Sequence, residues 1–492
     1  MAWWQAVDWY PLVLLVLGIA SISVLLLYWR LNAFLALLIV ALLVGLLSPR
    51  VAYRQDSKTG ERRFAPERVA AEVARGFGET MGAIGIVIAL ATIVGRAMTE
   101  SGAAERIVRS SVRIFGEERA ALALLTAAFL LGIPVFFDTV FLIMAPLVLA
   151  LAFRRPQSYL TYIMAVAAGA GITHSLVPPT PGPLVVSARL EVDLGLAIRM
   201  GVLVAAPLAL VGFAYGSWMN RWQPVPVRLD DPNKRQSLQA QLQRADAELP
   251  SLAVALLPIL LPLVLINLPT LAQILAAQDK PTNNWSAVIN FVGERNVALL
   301  LSALVSLGLT ARQRNWSRTD LGRFTASALD EAGMILLVTS AGGAFGKMLQ
   351  MVGVGETLSR MAEHLNIPLL VLAWGLTAIL KIAQGSATVA MITTCDIVRA
   401  AIAQSVGIPA EQLTVTEMSA YLGYHPVYLV LAIGCGSKIG SWMNDSGFWV
   451  VCRAAALTES ETLRSWTIGL VIMGLAGLPI VWLLASFWPH PL

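Results

Sequence analysis

Long apolar segments separated by short polar ones follow one another along most of the 492-residue chain. Residues 11–27, 34–47, 251–266 and 467–488 meet or approach the roughly 17–25 apolar residues that a helix needs to cross a bilayer. The N-terminus lacks the basic region and the small-residue cleavage site of a signal peptide, so we expect its first apolar segment to be a retained span. The pattern predicts an all-α polytopic membrane protein.

Two apolar stretches are too long for one span and too short for two spans with a loop between them. Residues 120–153 are interrupted at Gly132, Ile133 and Pro134, and residues 369–403 are interrupted at Gln384, Gly385 and Ser386. We interpret each stretch as a re-entrant hairpin, with tips near residues 134–139 and 384–388.

Two further segments predict helices that are broken within the membrane. Residues 178–184 contain four prolines and a glycine, and proline removes a backbone donor and restricts the residue before it. Residues 438–447 contain a comparable run of turn-forming residues. At membrane depth, irregular backbone is tolerated only where it is buried in protein or lines a wet cavity.

The interruptions occur in pairs, which divides the chain into two halves. Residues 1–218 hold two leading spans, a hairpin near 120–153 and a broken helix near 174–184; residues 251–492 hold a hairpin near 369–403 and a broken helix near 438–447. Residues 219–250 form a polar linker. A shift of 251 residues also aligns three residues of the first half with three of the second: Gly82 with Gly333, Gly102 with Gly353, and Glu105 with Glu356. We therefore predict two inverted repeats, a pattern that marks the binding sites of transporters.

Polar segments at residues 49–76 and 311–325 are predicted as loops, and residues 103–117 as an amphipathic helix at the membrane interface. Both loops are basic, so the positive-inside rule favours neither orientation of the chain.

Composition supports the membrane class and excludes others. The chain is 57% hydrophobic and only 13% charged, against about a quarter charged in soluble domains. The net charge of +5 comes mostly from loops between apolar segments, so no nucleic-acid partner is expected. Cys395, Cys435 and Cys452 have no metal-binding spacing, and no hydrolase elbow or zinc-protease motif is present, so neither an enzyme nor a metal site is predicted.

The helix breaks supply candidate residues for binding a small polar solute. The first amides of a helix have no partner within it and carry partial positive charge, which suits an anion such as a carboxylate. The alternative for each break is a kinked helix whose hydroxyl groups bond back to the chain. The predicted substrate-binding residues are Asp138, Thr139, His174, Thr180, Gly182, Gly385, Ser386, Thr388, Asn444 and Asp445.

Charged residues in the apolar segments are candidates for coupling, because charge at membrane depth is costly and is functional by default. Asp138 and Asp445 could each carry a proton, and His174 changes charge in the physiological range. Lys381 and Lys438 could attract an anion, or they could pair with these carboxylates and serve only the architecture. Either carboxylate could instead hold a structural hydrogen bond.

At these residues the sequence resembles the gluconate:proton symporter (gluconate permease, GntP) family within the ion-transporter superfamily. The matching pieces are residues 101–107 (SGAAERI), 137–139 (FDT), 174–183 (HSLVPPTPGP), 385–390 (GSATVA) and 444–449 (NDSGFW). Many relatives carry histidine where Thr180 stands and glutamate where Asp138 stands, departures that bear on the particular substrate.

The resemblance implies a proton-coupled symporter for gluconate or a related small sugar-acid or hydroxy-acid anion. It also implies inverted repeats with paired hairpins, a scaffold region that often dimerises, and elevator-like movement. We expect no cofactor, a proton as coupling ion, a small organic anion as substrate, a homodimer, and a multi-pass location in the plasma membrane (the bacterial inner membrane). Sodium-coupled symport of an organic anion or small amino acid, a passive channel, and a membrane-embedded enzyme or receptor are the alternatives.

Overall fold

The computed structural model describes residues 8–55, 62–228, 248–275, 284–365, 367–443 and 445–491. Before the polar linker it contains the helices α1 (Tyr10–Leu27), α2 (Ala33–Leu47), α3 (Pro49–Ala52), α4 (Pro66–Glu100), α5 (Ala103–Phe115), α6 (Ala120–Leu131), α7 (Phe137–Arg154), α8 (Tyr159–Leu176), α9 (Pro181–Arg189) and α10 (Leu194–Trp222). A short antiparallel hairpin of β1 (Tyr53–Gln55) and β2 (Arg62–Phe64) precedes α4.

The second half contains helices and no strands among its described residues. Its helices are α11 (Leu252–Leu275), α12 (Asn284–Gly293), α13 (Arg295–Arg314), α14 (Arg318–Val352), α15 (Val354–Leu365), α16 (Leu369–Gln384), α17 (Ala387–Val406), α18 (Val415–Leu422), α19 (Val427–Gly436), α20 (Ser446–Ala454), α21 (Glu459–Thr462) and α22 (Ile468–Phe487).

Eight helices in the described ranges are long and apolar enough to cross a membrane. This confirms the predicted all-α polytopic class. The amphipathic prediction for residues 103–117 is also confirmed, because α5 buries Ala104, Ile107, Val108 and Ser111 on one face and leaves Ile114 and Phe115 exposed.

The two predicted polar loops are wrong in part, because long helices begin inside them. Pro66 occupies the first turn of α4, where a missing amide donor costs nothing, and the buried Val69 and Val73 continue the helical face inward. Within residues 311–325, α13 ends at Arg314 and α14 begins at Arg318 behind a capping box of Ser317 and Asp320. The polar composition of these segments indicated where the apolar span begins, but the helix itself begins earlier, inside the polar segment.

The helices α4 and α14 pack against each other and have matching form. Each has 35 residues and pairs closely with the other, with Gly76 of α4 lying against Ala344 of α14. Each is followed by a glycine in the left-handed region, Gly102 (φ 77°) or Gly353 (φ 94°), and then by a short amphipathic helix. Glycine is the residue that adopts this backbone without strain.

Four helices stop where the sequence interrupts the apolar pattern. The breaks lie between α6 and α7, α8 and α9, α16 and α17, and α19 and α20. In the third of these, Gly385 takes φ 76° and the hydroxyl of Ser386 accepts a hydrogen bond from Val389 N at 3.3 Å. Each break therefore ends one helix and begins another, after two to five residues in the first three cases and after residues 437–445 in the fourth.

A glycine contact between α8 and α6 gives a test of this packing. A Cβ on Gly169 would lie 2.6 Å from the carbonyl oxygen of Leu125 and 3.0 Å from the amide nitrogen of Phe129, and neither backbone atom can move alone. We expect Gly169→Ala to destabilise the protein by about 1–3 kcal/mol, the usual cost of overpacking. The measurement is the thermal unfolding midpoint of the purified protein in detergent.

The matched control is Gly308→Ala in α13, where a Cβ meets nothing within 4 Å. Alanine is a better helix former than glycine by about 1 kcal/mol, so this midpoint should stay the same or rise. Equal midpoints for the two variants would contradict the packing of α8 on α6.

Candidate functional site

A cavity of about 790 Å³ lies where the helix breaks meet. Its wall includes Phe136 to Thr139 before and in α7, Gly385 to Thr388 around the start of α17, and Ser446 and Gly447 at the start of α20. Gly171 and His174 of α8 complete the polar side. The topology thus brings residues from both halves of the sequence to one place.

The N-terminus of α7 presents free backbone donors to this cavity. Its first intrahelical bond runs from Val140 N to Phe136 O, and among the described residues no side chain caps the helix. The amides of Phe137, Asp138 and Thr139 precede that bond and have no partner within the helix. Because the helix dipole adds partial positive charge there, an anion is the natural ligand.

The other two helix starts are capped by side chains. Ser386 caps α17, and Asp445 caps α20 by accepting a hydrogen bond from Gly447 N at 3.1 Å. Their remaining first-turn amides still contribute partial positive charge, but α7 offers the more open set of donors.

Lys381 and Asp445 form an ion pair that is largely buried, with the Asp445 side chain 19% exposed. The Lys381 side chain is 1% exposed, and its ammonium donates to Asp445 Oδ2 at 2.7 Å and to the carbonyl oxygen of Gly385. Asp445 also accepts from the Ser441 hydroxyl. Of the two roles that the sequence left open for Lys381, pairing with a carboxylate is the one that this geometry supports.

Lys438 differs from Lys381. It is buried, its ammonium donates to the Gly171 carbonyl oxygen at 2.7 Å, and no carboxylate oxygen of the described residues lies within ion-pair distance. An ammonium has three N–H donors, so Lys438 keeps donors for a ligand in the cavity that it lines. It is the basic group best placed to attract an anion.

Asp138 and His174 are two further titratable groups that face the same space. Asp138 is half-buried in the first turn of α7, and within the described chain its carboxylate makes no hydrogen bond or ion pair. His174 Nδ1 is buried without a hydrogen-bond partner among those residues, and its ring meets the edge of Phe136 at 6.0 Å between centroids. Both groups are available to a proton or to a bound solute.

Comparison with known proteins decides the family. The family model for GntP family permeases matches residues 10–487. The chain belongs to the GntP permease family. The resemblance drawn from the sequence motifs is confirmed.

The permease is similar to bacterial sugar-acid transporters over nearly its whole length. It is 33% identical to the gluconate permease of Pseudomonas aeruginosa, covering 97% of this chain and 98% of that protein. It is 28% identical to the high-affinity gluconate transporter of Escherichia coli, covering 95% and 98%, and 27% identical to the Gnt-II system L-idonate transporter of the same species, covering 95% and 97%.

Two solved structures share the fold. The YdaH transporter of Alcanivorax borkumensis aligns with a TM-score of 0.61 at 14% identity, over 95% of this chain and 99% of that one. MtrF of Neisseria gonorrhoeae aligns with a TM-score of 0.59 at 13% identity, over 92% and 95%.

The permease is therefore a multi-pass membrane transporter of the gluconate permease family and not an enzyme, as predicted. The predicted location in the inner membrane agrees with its bacterial relatives, which include the inner membrane permease YgbN of Escherichia coli.

Two predicted site residues of the permease, Thr180 and Gly182, are not among the described residues that line the cavity. Thr180 is buried, and its hydroxyl donates to the Val177 carbonyl oxygen at 2.8 Å. A Cβ added to Gly182 would lie 2.6 Å from Met391 Sδ and 3.7 Å from Thr388 Cα, so the start of α9 faces α17 instead of the cavity. Asn444 lies outside the described residues.

Other lining residues were missed by the sequence reasoning. Trp466 stacks on Phe137 with ring centroids 4.8 Å apart and donates from its indole nitrogen to Ser441 Oγ at 2.9 Å. Glu331 lines the rim and pairs with Arg96 at 3.7 Å. Ser441 lies within the segment that the sequence predicted as a broken helix. Trp466 could not be identified as a site residue from sequence, because an aromatic residue at the start of a span is typical of any membrane helix.

No metal site of the usual acidic, histidine or cysteine type is formed by the described residues. The chemistry that these residues give the cavity is instead that of hydroxyls, amides, one unpaired ammonium and one unpaired carboxylate.

Proposed function

We propose that the permease carries gluconate, or a related small sugar-acid or hydroxy-acid anion, across the membrane together with a proton. The observation that carries the proposal is the convergence of three features in one cavity: the uncapped N-terminus of α7, the Lys438 ammonium and the Asp138 carboxyl. The names of its relatives support the substrate class.

The carboxylate of the solute is assigned to the positive end of the cavity. The amides of Phe137 to Thr139 and the Lys438 ammonium offer N–H donors, and charge-assisted hydrogen bonds of this kind are the strong ones. The hydroxyl groups of the solute can exchange hydrogen bonds with Ser386, Thr388 and Ser446. Trp466 supplies an apolar wall for the carbon chain.

The balance of charge in the cavity supports the proposal that a proton accompanies the anion. Lys381 and Asp445 neutralise each other, which leaves one positive charge on Lys438 and one negative charge on ionised Asp138. A bound carboxylate then leaves an excess negative charge, and two like charges 4 Å apart repel by about 4 kcal/mol at an effective dielectric constant of about 20. A proton on Asp138 removes this repulsion. His174 is the second candidate carrier in the same wall.

Two inverted repeats and an elevator-like movement belong to the same proposal. The matching 35-residue helices α4 and α14, the matching glycines after them and the paired breaks support inverted repeats with re-entrant hairpins at α6–α7 and α16–α17. Elevator-like movement and a homodimer are expected from the family resemblance. Cross-linking and mass measurement in lipid nanodiscs test the dimer.

Uptake into proteoliposomes tests the transported species and the coupling. An inward gradient of one pH unit is worth about 1.4 kcal/mol per proton, which supports about tenfold accumulation of an anion carried with one proton. We expect labelled gluconate to accumulate about tenfold when the membrane potential is clamped at zero. Accumulation that does not respond to the proton gradient would contradict proton coupling.

Two controls separate the alternatives. Replacing sodium with choline on both sides should leave uptake unchanged, whereas loss of uptake would indicate sodium coupling. Equilibration without accumulation would indicate a passive channel.

A further inference from the structure

A second charged cavity lies away from the first, along the helices α9 and α17. These helices pack side by side and run in the same direction. Near the start of both helices, Gly182 of α9 lies against Thr388 of α17. Farther along both helices, Arg189 Nη1 of α9 lies 2.5 Å from Asp396 Oδ1 of α17. At 1.5 Å per residue, Arg399 is roughly 16 Å along α17 from Thr388, which lines the first cavity. The charged residues Arg189, Asp396 and Arg399 therefore lie at a site separate from the first cavity.

The second cavity has a volume of about 200 Å³ and more basic than acidic residues in its wall. Three basic side chains, Arg189, Lys347 and Arg399, face two acidic ones, Glu79 and Asp396. The Glu79 side chain is 40% exposed and pairs with Arg75 at 2.9 Å, so this edge of the cavity meets solvent. A small anion can therefore enter from water.

Asp396 has a cation partner at Oδ1, whereas its Oδ2 is buried without a hydrogen-bond partner among the described residues. Its side chain is 2% exposed, Arg189 holds one carboxylate oxygen, and the same guanidinium donates to Thr80 Oγ1 at 2.6 Å. This pair ties the end of α9 and the middle of α17 to α4.

Arg399 is only partly paired. Its Nε is buried without a hydrogen-bond partner, and its ion pair with Glu191 is long, 3.7 Å from Nη2 to the carboxylate oxygen. Its side chain is only 17% exposed. A largely buried N–H donor without an acceptor is costly, and a planar carboxylate matches the fork geometry of the guanidinium.

We propose that this cavity is a second, weaker binding site for a small carboxylate, with Arg399 as its principal contact and Lys347 as the second basic wall. The assignment of the ligand class rests on the proposed function, since the carboxylate available to such a site is the transported sugar acid itself. The site binds the solute at the solvent edge of the α9–α17 pair, apart from the cavity in which it is coupled to a proton.

Equilibrium binding of labelled gluconate to the purified full-length protein in detergent tests the proposal. We expect two phases in the unaltered protein. Arg399→Gln should weaken the low-affinity phase at least tenfold and leave the high-affinity phase unchanged, and Arg399→Lys should give an intermediate loss. Arg323→Gln, at an exposed arginine in α14, is the matched control and should change neither phase.

The outcomes separate this proposal from the proposed function. A single phase that Arg399→Gln leaves intact, or a low-affinity phase that this substitution leaves intact, would overturn the second site. If inorganic phosphate displaces labelled gluconate from the low-affinity site more readily than unlabelled gluconate does, the assignment of that site to a carboxylate is overturned. If the unaltered protein shows neither a high-affinity phase nor proton-driven uptake, but does show the Arg399-dependent phase, the proposed function is overturned and the second site is kept.

Discussion

Replacing Lys381 with methionine should abolish gluconate uptake, to less than about one hundredth of the original rate, and destabilise the fold by about 3–5 kcal/mol. The change removes the buried cation from Asp445 and leaves a carboxylate without its charge partner at the start of α20. It also removes the hydrogen bond that the ammonium donates to the Gly385 carbonyl oxygen, so the starts of α17 and α20 each lose a contact with Lys381. Uptake assays and thermal unfolding in detergent measure the two effects.

The double variant Lys381→Met with Asp445→Asn is the informative control. Because it removes both charges, it should recover much of the lost stability without recovering transport. Arg323→Met, which breaks an exposed pair with Asp320 at 3.9 Å, should change stability by less than about 0.5 kcal/mol. Wild-type uptake and stability in Lys381→Met would contradict the role of the pair.

Replacing Asp138 with asparagine should remove the pH dependence of gluconate binding. In the unaltered protein, an anion that binds only with a protonated carboxyl loses affinity as pH rises, approaching tenfold per unit above the pKa of that carboxyl. Asparagine cannot ionise, so binding to the variant should be flat across the same range. Calorimetric titrations at several pH values measure the slope.

Asp138→Glu keeps an ionisable group at the start of α7 and should keep the pH dependence. An unchanged slope in Asp138→Asn would assign the proton to another group, with His174 as the next candidate in the cavity wall.

The helix breaks could be predicted from sequence because their causes are local. The prolines at 178–183 lack amide donors, and Gly385 with Ser386 forms a cap that needs only neighbouring residues. The charged and hydroxyl residues beside those breaks were found for the same reason. Asp138, Ser386 and Asp445 all line the cavity.

Other features depend on contacts between distant parts of the chain. The direction in which Thr180 and Gly182 face is set by the packing of α9 on α17, which no local pattern encodes. Arg399 and Asp396 stand in a long apolar stretch, where any charge is a signal of function. Their partners, Glu191 and Arg189, are about two hundred residues away in sequence. The lengths of α4 and α14 were missed because hydropathy reports membrane depth and not the end of a helix.

The most direct test of the binding site is an experimental structure of the permease with gluconate bound. We predict gluconate in the 790 Å³ cavity, with its carboxylate at the first amides of α7 and the Lys438 ammonium. Gluconate bound elsewhere at the concentration that saturates transport, with this cavity free of it, would contradict the proposed site.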